Sequence, residues 1–161
     1  MAQRDLLAVL PNALSLARVA LGIAFPFVEN SFRPWLILVG AATDLLDGFL
    51  ARQFKWESDL GRLLDPIADK FFVLIIAGTL LAEEAIAVPW AIGIAVRDIV
   101  VLAATVAIAI RHGLKNLRRL RPAWLGKATT AAQFAVLFVV VLHGKSPTWL
   151  LALTTCLSIA A

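Results

Sequence analysis

The sequence predicts an all-α membrane protein, a polytopic bundle of six transmembrane helices in one domain over residues 1–161. Three observations carry that reading. Apolar residues make up 61% of the chain and its mean hydropathy is +0.87, whereas an ordinary soluble domain is about 45–50% apolar. The charged residues, 16% of the total, cluster between apolar runs, as the polar ends of spanning helices do. The apolar runs themselves divide into six stretches near the roughly 20 residues that cross a bilayer.

The first stretch runs from Asn12 to Val28, and Met1 to Pro11 leads into it without a small-residue cleavage site, so it reads as a retained helix. Pro34 opens the second, which continues to Ala51; proline is favoured in a first helical turn, where its missing N–H costs nothing. The third covers Gly61 to Ala82 and the fourth Val88 to Ile110. Pro122 and Trp124 introduce the fifth, ending near His143, and a short sixth runs from Pro147 to Ala161. Short polar segments join them.

Positive charge is distributed unevenly over those segments. One side collects Arg4, Arg52, Lys55, Arg62, Arg111, Lys115, Arg118, Arg119, Arg121 and Lys127, while the other has Arg33 and Lys145 against Glu29, Glu83 and Glu84. By the positive-inside rule the first side, with the N-terminus, is cytoplasmic. The net charge of +4 and the pI near 9.8 are thereby assigned to topology and membrane lipids, with no nucleic acid partner. Cys156 is the single cysteine, which rules out an intrachain disulfide and a thiolate zinc site.

The chemistry gathers where the second and third stretches reach the cytoplasm. Asp44 and Asp47 are spaced i, i+3; Asp65 and Asp69 are spaced i, i+4. Each pair projects from one helix face, and the short segment between the helices makes them antiparallel neighbours with the pairs opposed. Carboxylates in a membrane helix are expensive and mark function. A hard cation, Mg²⁺, Mn²⁺ or Ca²⁺, resolves their repulsion; four carboxylates hold two ions, or one ion with a carboxylate left as base. Salt bridges to Arg18, Arg52, Arg62 and Lys70 would also neutralise them, but do not call for two helically spaced pairs around one loop. Gly48 and Gly61 permit either close approach of a ligand to the backbone or tight helix packing. A metal-ion transporter is the rival class; it would scatter its acids near the midplane of several helices, whereas these gather at one end beside Arg52.

The run from Asp44 to Asp69 resembles the signature of the CDP-alcohol phosphotransferases, D-x2-D-G-x2-A-R-x8-G-x3-D-x3-D, with every fixed position present. The resemblance implies a six-helix fold and transfer of a substituted phosphate from a CDP-linked donor, here CDP-diacylglycerol, to an alcohol, with release of CMP. It implies that Asp44, Asp47, Asp65 and Asp69 bind metal, two Mg²⁺ or Mn²⁺ ions per site, with Asp69 also the general base. Asp47, Gly48, Arg52 and Gly61 would seat the nucleotide. It further implies that two copies can associate as a homodimer.

The acceptor rests on other residues. Pro11 to Arg18 resembles the opening of the phosphatidylglycerophosphate synthase and cardiolipin synthase branches, which would bring Asn12 and Arg18 to the acceptor; alternatively Asn12 caps the helix and Arg18 pairs with an aspartate. Arg97 and Asp98 are either a buried ion pair or present Arg97 to an acceptor phosphate. Lys127, Thr130 and Gln133 resemble a motif of both branches. Thr129 and Thr105 stand where phosphatidylglycerophosphate synthases tend to carry a second lysine and a second arginine, which weakens glycerol 3-phosphate as acceptor. Phosphatidylglycerol fits the cardiolipin synthase resemblance, and an inositol phosphate acceptor is a third alternative.

Overall fold

The computed structural model describes the backbone of residues 2–54, 61–112 and 124–144, and the side chains of residues 12–46, 64–107, 110–111 and 129–144. Its described elements are all helical. They are α1 (Ala2–Ala24), α2 (Arg33–Phe54), α3 (Gly61–Ala82), α4 (Val88–His112) and α5 (Trp124–His143), with a 3-10 turn over Phe25–Phe27 after α1. The expected sixth helix from Pro147 lies outside the described residues.

Four of the five described helices agree with the sequence reading to within a few residues. The first does not. α1 begins at Ala2 rather than Asn12 and runs through Pro11. The residues before Pro11 are mostly strong helix formers, and an interior proline removes one N–H without ending a helix whose neighbours support it. At the other end, the 3-10 turn carrying Pro26 takes over three residues that had been assigned to the helix.

The second correction concerns packing. α2 and α3 were expected to be direct neighbours, yet α1 packs extensively on both and stands between them, while α2 and α3 touch sparingly. Their best-defined meeting is Phe72 of α3, whose ring fills the space a Cβ would take at Gly40 of α2. Ser15 meets Asp65 and Gly22 meets Phe72, so α1 runs parallel to α3. Arg18 meets Asp44, with Gly22 and Gly40 both against Phe72, so α1 is antiparallel to α2. α4 packs on α3, and α5 lies against α2 and α3. The short connection after α2 fixed its direction relative to α3, but the small residues Gly22 and Gly40 decided which helices come close.

Two turns fix the far end. α3 stops at a turn in which the amides of Glu84 and Ala85 donate to the Leu81 and Leu80 carbonyls at 3.0 and 2.9 Å. Glu84 takes the left-handed conformation there, φ 57°, satisfying carbonyls that a helix end leaves without partners. Arg33 then ties the start of α2 to this turn. Its guanidinium donates to Glu83 at 2.6 Å and to the Val28 and Pro26 carbonyls at 3.0 and 3.4 Å, over the face of Phe25.

The arrangement of polarity is inverted relative to a protein surrounded by water. Ser15, Arg18, Asp69, Lys70, Asp98, Thr129 and Gln133 are buried. Val88, Ile92, Val96, Ile99 and Val100 form an exposed apolar face along α4. Within α4, Val88–Ala107 is the one described segment long and apolar enough to cross a membrane by length and composition alone. Apolar runs of α1 and α5 are shorter, and α2 and α3 are interrupted by the charged residues that the inward face carries.

Candidate active site

The site is a polar layer one helical turn deep, floored by aromatic rings. Asp65 and Asp69 lie one turn apart on α3, and Ser15 and Arg18 one turn apart on α1. Ser15 Oγ donates to Asp65 Oδ1 at 2.5 Å, and Arg18 Nη1 lies 3.1 Å from Asp44 Oδ1. Parallel alignment of α1 and α3 thus puts Asp44 of α2 at the level of the α3 carboxylates, with α1 supplying a partner to each side. Asp44 is the more open of that pair, 36% exposed against 0% for Arg18.

Asp69 sits eight residues into α3, about 12 Å from the helix start at 1.5 Å per residue. It is buried, its Oδ2 is 3.0 Å from Lys70 Nζ, and its Oδ1 has no hydrogen-bond partner among the described residues. A buried carboxylate oxygen left unpaired is costly, so this atom marks where a ligand completes the site. Pro66, inside α3 between the two aspartates, deprives the Arg62 carbonyl of its helical N–H partner.

Lys70 leads from Asp69 into a chain of ionic and polar contacts across three helices. Its Nζ also lies 3.4 Å from Asp98 Oδ1 on α4 and 3.3 Å from Thr130 Oγ1 on α5. Asp98 in turn accepts from Arg97 Nη1 at 2.8 Å and from Gln133 Nε2 at 3.3 Å. Arg97 also reaches Gln133 Oε1 at 3.4 Å. The ion-pair reading of Arg97 and Asp98 therefore describes the observed contacts. Of the two threonines that replace cations, Thr129 is buried and Thr105 donates its hydroxyl back to the Val101 carbonyl at 2.9 Å. One turn beyond the layer Phe72 stacks on Phe134, ring centroids 5.7 Å apart, and closes it against the apolar core.

Among the described residues Asp44, Asp65 and Asp69 occupy this layer together, but no three acidic, histidine or cysteine side chains converge as a metal-binding group. Asp47, Gly48, Arg52, Gly61 and Lys127 lie outside the described side chains. Asn12 is half-buried on α1, one turn before Ser15. The donor set nonetheless fits a hard cation: it is all carboxylate, and Asp69 Oδ1 is a buried oxygen awaiting a partner.

Sequence reasoning singled out Asp69 and Arg97 but gave no site role to Lys70, Asp98 or Gln133. The signal was present in the cost of a lysine and an aspartate in the middle of apolar helices. What the sequence lacked was the pairing of those charges between helices.

Comparison with known proteins decides the family. The profile of the CDP-alcohol phosphatidyltransferase family matches residues 8–160. The chain belongs to this family. Members with assigned names resemble it over most of its length. Human cardiolipin synthase (CMP-forming) is 33% identical over 141 residues, covering 77% of this chain and 47% of that protein. The CDP-diacylglycerol–glycerol-3-phosphate 3-phosphatidyltransferase of Pectobacterium atrosepticum is 38% identical over 146 residues, covering 82% and 76%. The cardiolipin synthase (CMP-forming) of Streptomyces coelicolor is 35% identical over 140 residues, covering 80% and 62%. The chain spans about half the length of the human and rat cardiolipin synthases it matches. No solved structure matches it. As a CDP-alcohol phosphatidyltransferase family member the chain is membrane-associated, which accounts for its apolar exterior and polar interior.

Proposed function

We propose that the chain is a phospholipid-synthesising transferase that moves a phosphatidyl group from CDP-diacylglycerol to a glycerol-type alcohol and releases CMP. The names of its relatives supply the donor CDP-diacylglycerol, the acceptor glycerol 3-phosphate, and CMP and cardiolipin as products. The observation that carries the reading is Asp69. It is a buried carboxylate with one oxygen fixed by Lys70 and the other unpartnered, level with Asp44 and Asp65 in a chain that holds the full signature.

In the reaction, the acceptor hydroxyl attacks the phosphorus of the phosphatidyl group and the bond to the CMP oxygen breaks. Asp69 accepts the hydroxyl proton at Oδ1, the oxygen that Lys70 leaves unoccupied. Asp47, Gly48, Arg52 and Gly61 would seat the nucleotide. Asp44, Asp47, Asp65 and Asp69 would hold Mg²⁺ or Mn²⁺, two ions in this reading. Bound there, the cation neutralises the diphosphate and the charge developing on CMP. Arg18 and Ser15 keep two of these carboxylates in place from α1, and Asn12, Arg97 and Lys127 would serve the acceptor.

The topology that goes with this function is six spans with the site on the cytoplasmic side. The five described helices have 20 to 25 residues, or about 30–37 Å against a hydrocarbon core near 30 Å. Phe27, Phe32 and Trp35 are exposed at the end remote from the aspartates, as residues of an interfacial aromatic belt are. In the sequence most of the basic residues belong to the segments assigned to the other side.

The test is CMP release by purified protein in detergent with CDP-diacylglycerol, Mg²⁺ or Mn²⁺ and a panel of glycerol-type and inositol phosphate acceptors. Release with at least one glycerol-type acceptor is expected, and none with any acceptor refutes the function. Asp69→Asn should abolish turnover; retained turnover refutes the base.

A further inference from the structure

Lys70 is buried, and its ammonium has three N–H bonds to place. Three oxygens surround it, one from each of three helices: Asp69 Oδ2 on its own helix at 3.0 Å, Asp98 Oδ1 on α4 at 3.4 Å and Thr130 Oγ1 on α5 at 3.3 Å. The ammonium has one acceptor per bond and no water-facing surface in which to wander. On the other side of Asp98, Arg97 and Gln133 fix the carboxylate, which is fully buried. The cation is thus anchored on α4 and α5 and applied to one oxygen of Asp69, leaving the other, Oδ1, without a partner among the described residues.

We propose that Lys70 is a positioning residue for the transfer reaction, and that Asp98, a residue outside the aspartate signature, acts through it. Lys70 occupies Oδ2 of Asp69 and so leaves Oδ1 as the oxygen that faces the cation and the acceptor hydroxyl. Asp98 and Thr130 set where the ammonium stands. The inference rests on the transferase reading above. A simple counter-ion would need only proximity to Asp69; three acceptors matched to three N–H bonds fix orientation as well. Since Oδ2 is turned away from the reacting atoms, loss of the clamp lets the carboxylate rotate and lowers turnover, while donor binding by the nucleotide residues is retained.

The experiment is a double-mutant cycle on the full chain in nanodiscs, with Lys70→Met, Asp98→Asn and the combination. The turnover number and the KM for CDP-diacylglycerol are measured for each. Lys70→Met should lower kcat about 10- to 100-fold, the scale of a lost charge-assisted hydrogen bond, with KM within about twofold. Asp98→Asn should lower kcat less, and the double variant should match Lys70→Met because Asp98 has nothing left to act on. Wild-type kcat in Lys70→Met, losses that multiply in the double variant, or an effect carried by KM would overturn the proposal. If Lys70→Met does not fold, Thr130→Val removes one of the three oxygens without changing charge. It should cost about threefold to tenfold in kcat, and an unchanged kcat overturns the proposal equally. A wild-type chain inactive with every acceptor overturns the transferase reading itself and the clamp with it.

Discussion

Gly40→Ala should be the most damaging small substitution among the described glycines, because it strikes the contact that brings α2 to α3. A Cβ at Gly40 would stand 2.5 Å from Phe72 Cζ and 2.8 and 3.1 Å from its two Cε atoms. A ring tip can often swing aside, but this one is enclosed. Phe72 is fully buried, its Cδ2 lies against Gly22 and its face is stacked on Phe134. Relief therefore requires the helices to separate, and overpacking of this kind costs about 1–3 kcal/mol. Gly22→Ala should cost less, since its nearest contacts are 3.3 and 3.4 Å. Gly78→Ala and Gly93→Ala meet nothing within 4 Å and should be neutral or stabilising by up to about 1 kcal/mol, from helix propensity. The series is read by thermal denaturation in detergent, followed by fluorescence-detected size exclusion. Phe72→Leu combined with Gly40→Ala should recover part of the loss by removing the ring that clashes. Equal stability of Gly40→Ala and Gly78→Ala would refute the packing argument, and so would a double variant weaker than the sum of its parts.

Other outcomes follow from separate parts of the molecule. Arg33→Ala should destabilise by about 2–4 kcal/mol, because it strips donors from the Val28 and Pro26 carbonyls as well as from Glu83; kcat at low temperature should hold, since this cluster lies at the end away from the aspartates. Glu83→Gln should cost no more than about 1 kcal/mol by the same thermal assay, its side chain being 41% exposed. Thr105→Arg should raise CMP release with glycerol 3-phosphate relative to phosphatidylglycerol by severalfold; an unchanged ratio would detach this position from acceptor choice. With Cys156 replaced by serine, cysteines introduced at Ser58 and Glu84 should react with an impermeant maleimide from opposite sides of sealed vesicles, Ser58 from the cytoplasmic side.

Helix existence was legible because apolar length is a one-dimensional property: α3 and α4 start at the residues expected. The start of α1 was not, since Pro11 is a stop signal in water and a tolerated kink among packed helices. Neighbour relations were harder still. A short connection says that α2 and α3 run in opposite directions, yet α1 enters between them because Gly22 and Gly40 let Phe72 bridge the gap. For the site, helical spacing placed Asp65 and Asp69 on one face, and those two do share the polar layer. Lys70 escaped assignment because its adjacency to Asp69 in sequence reads as local charge balance. Its importance depends on Asp98 and Thr130, which lie 28 and 60 positions away.

The charge balance of the layer bears on which acceptor it suits. Four described carboxylates, Asp44, Asp65, Asp69 and Asp98, stand against three cations, Arg18, Lys70 and Arg97, and each cation already contacts a carboxylate. Asp47 adds a further negative charge to the signature. A layer of this sign attracts cations and repels anions, so the diphosphate of the donor gains from entering with divalent cation rather than before it. The acceptors differ in the charge they bring. A phosphomonoester such as glycerol 3-phosphate brings about 1.5 to 2 negative charges, a phosphodiester such as phosphatidylglycerol only one. With Thr105 bonded to its own helix and Thr129 buried, neither offers a cation to offset the difference. Thr105 and Thr129 both lie outside the signature that identifies the family, so in this layer the charge an acceptor brings is left to the cation to offset.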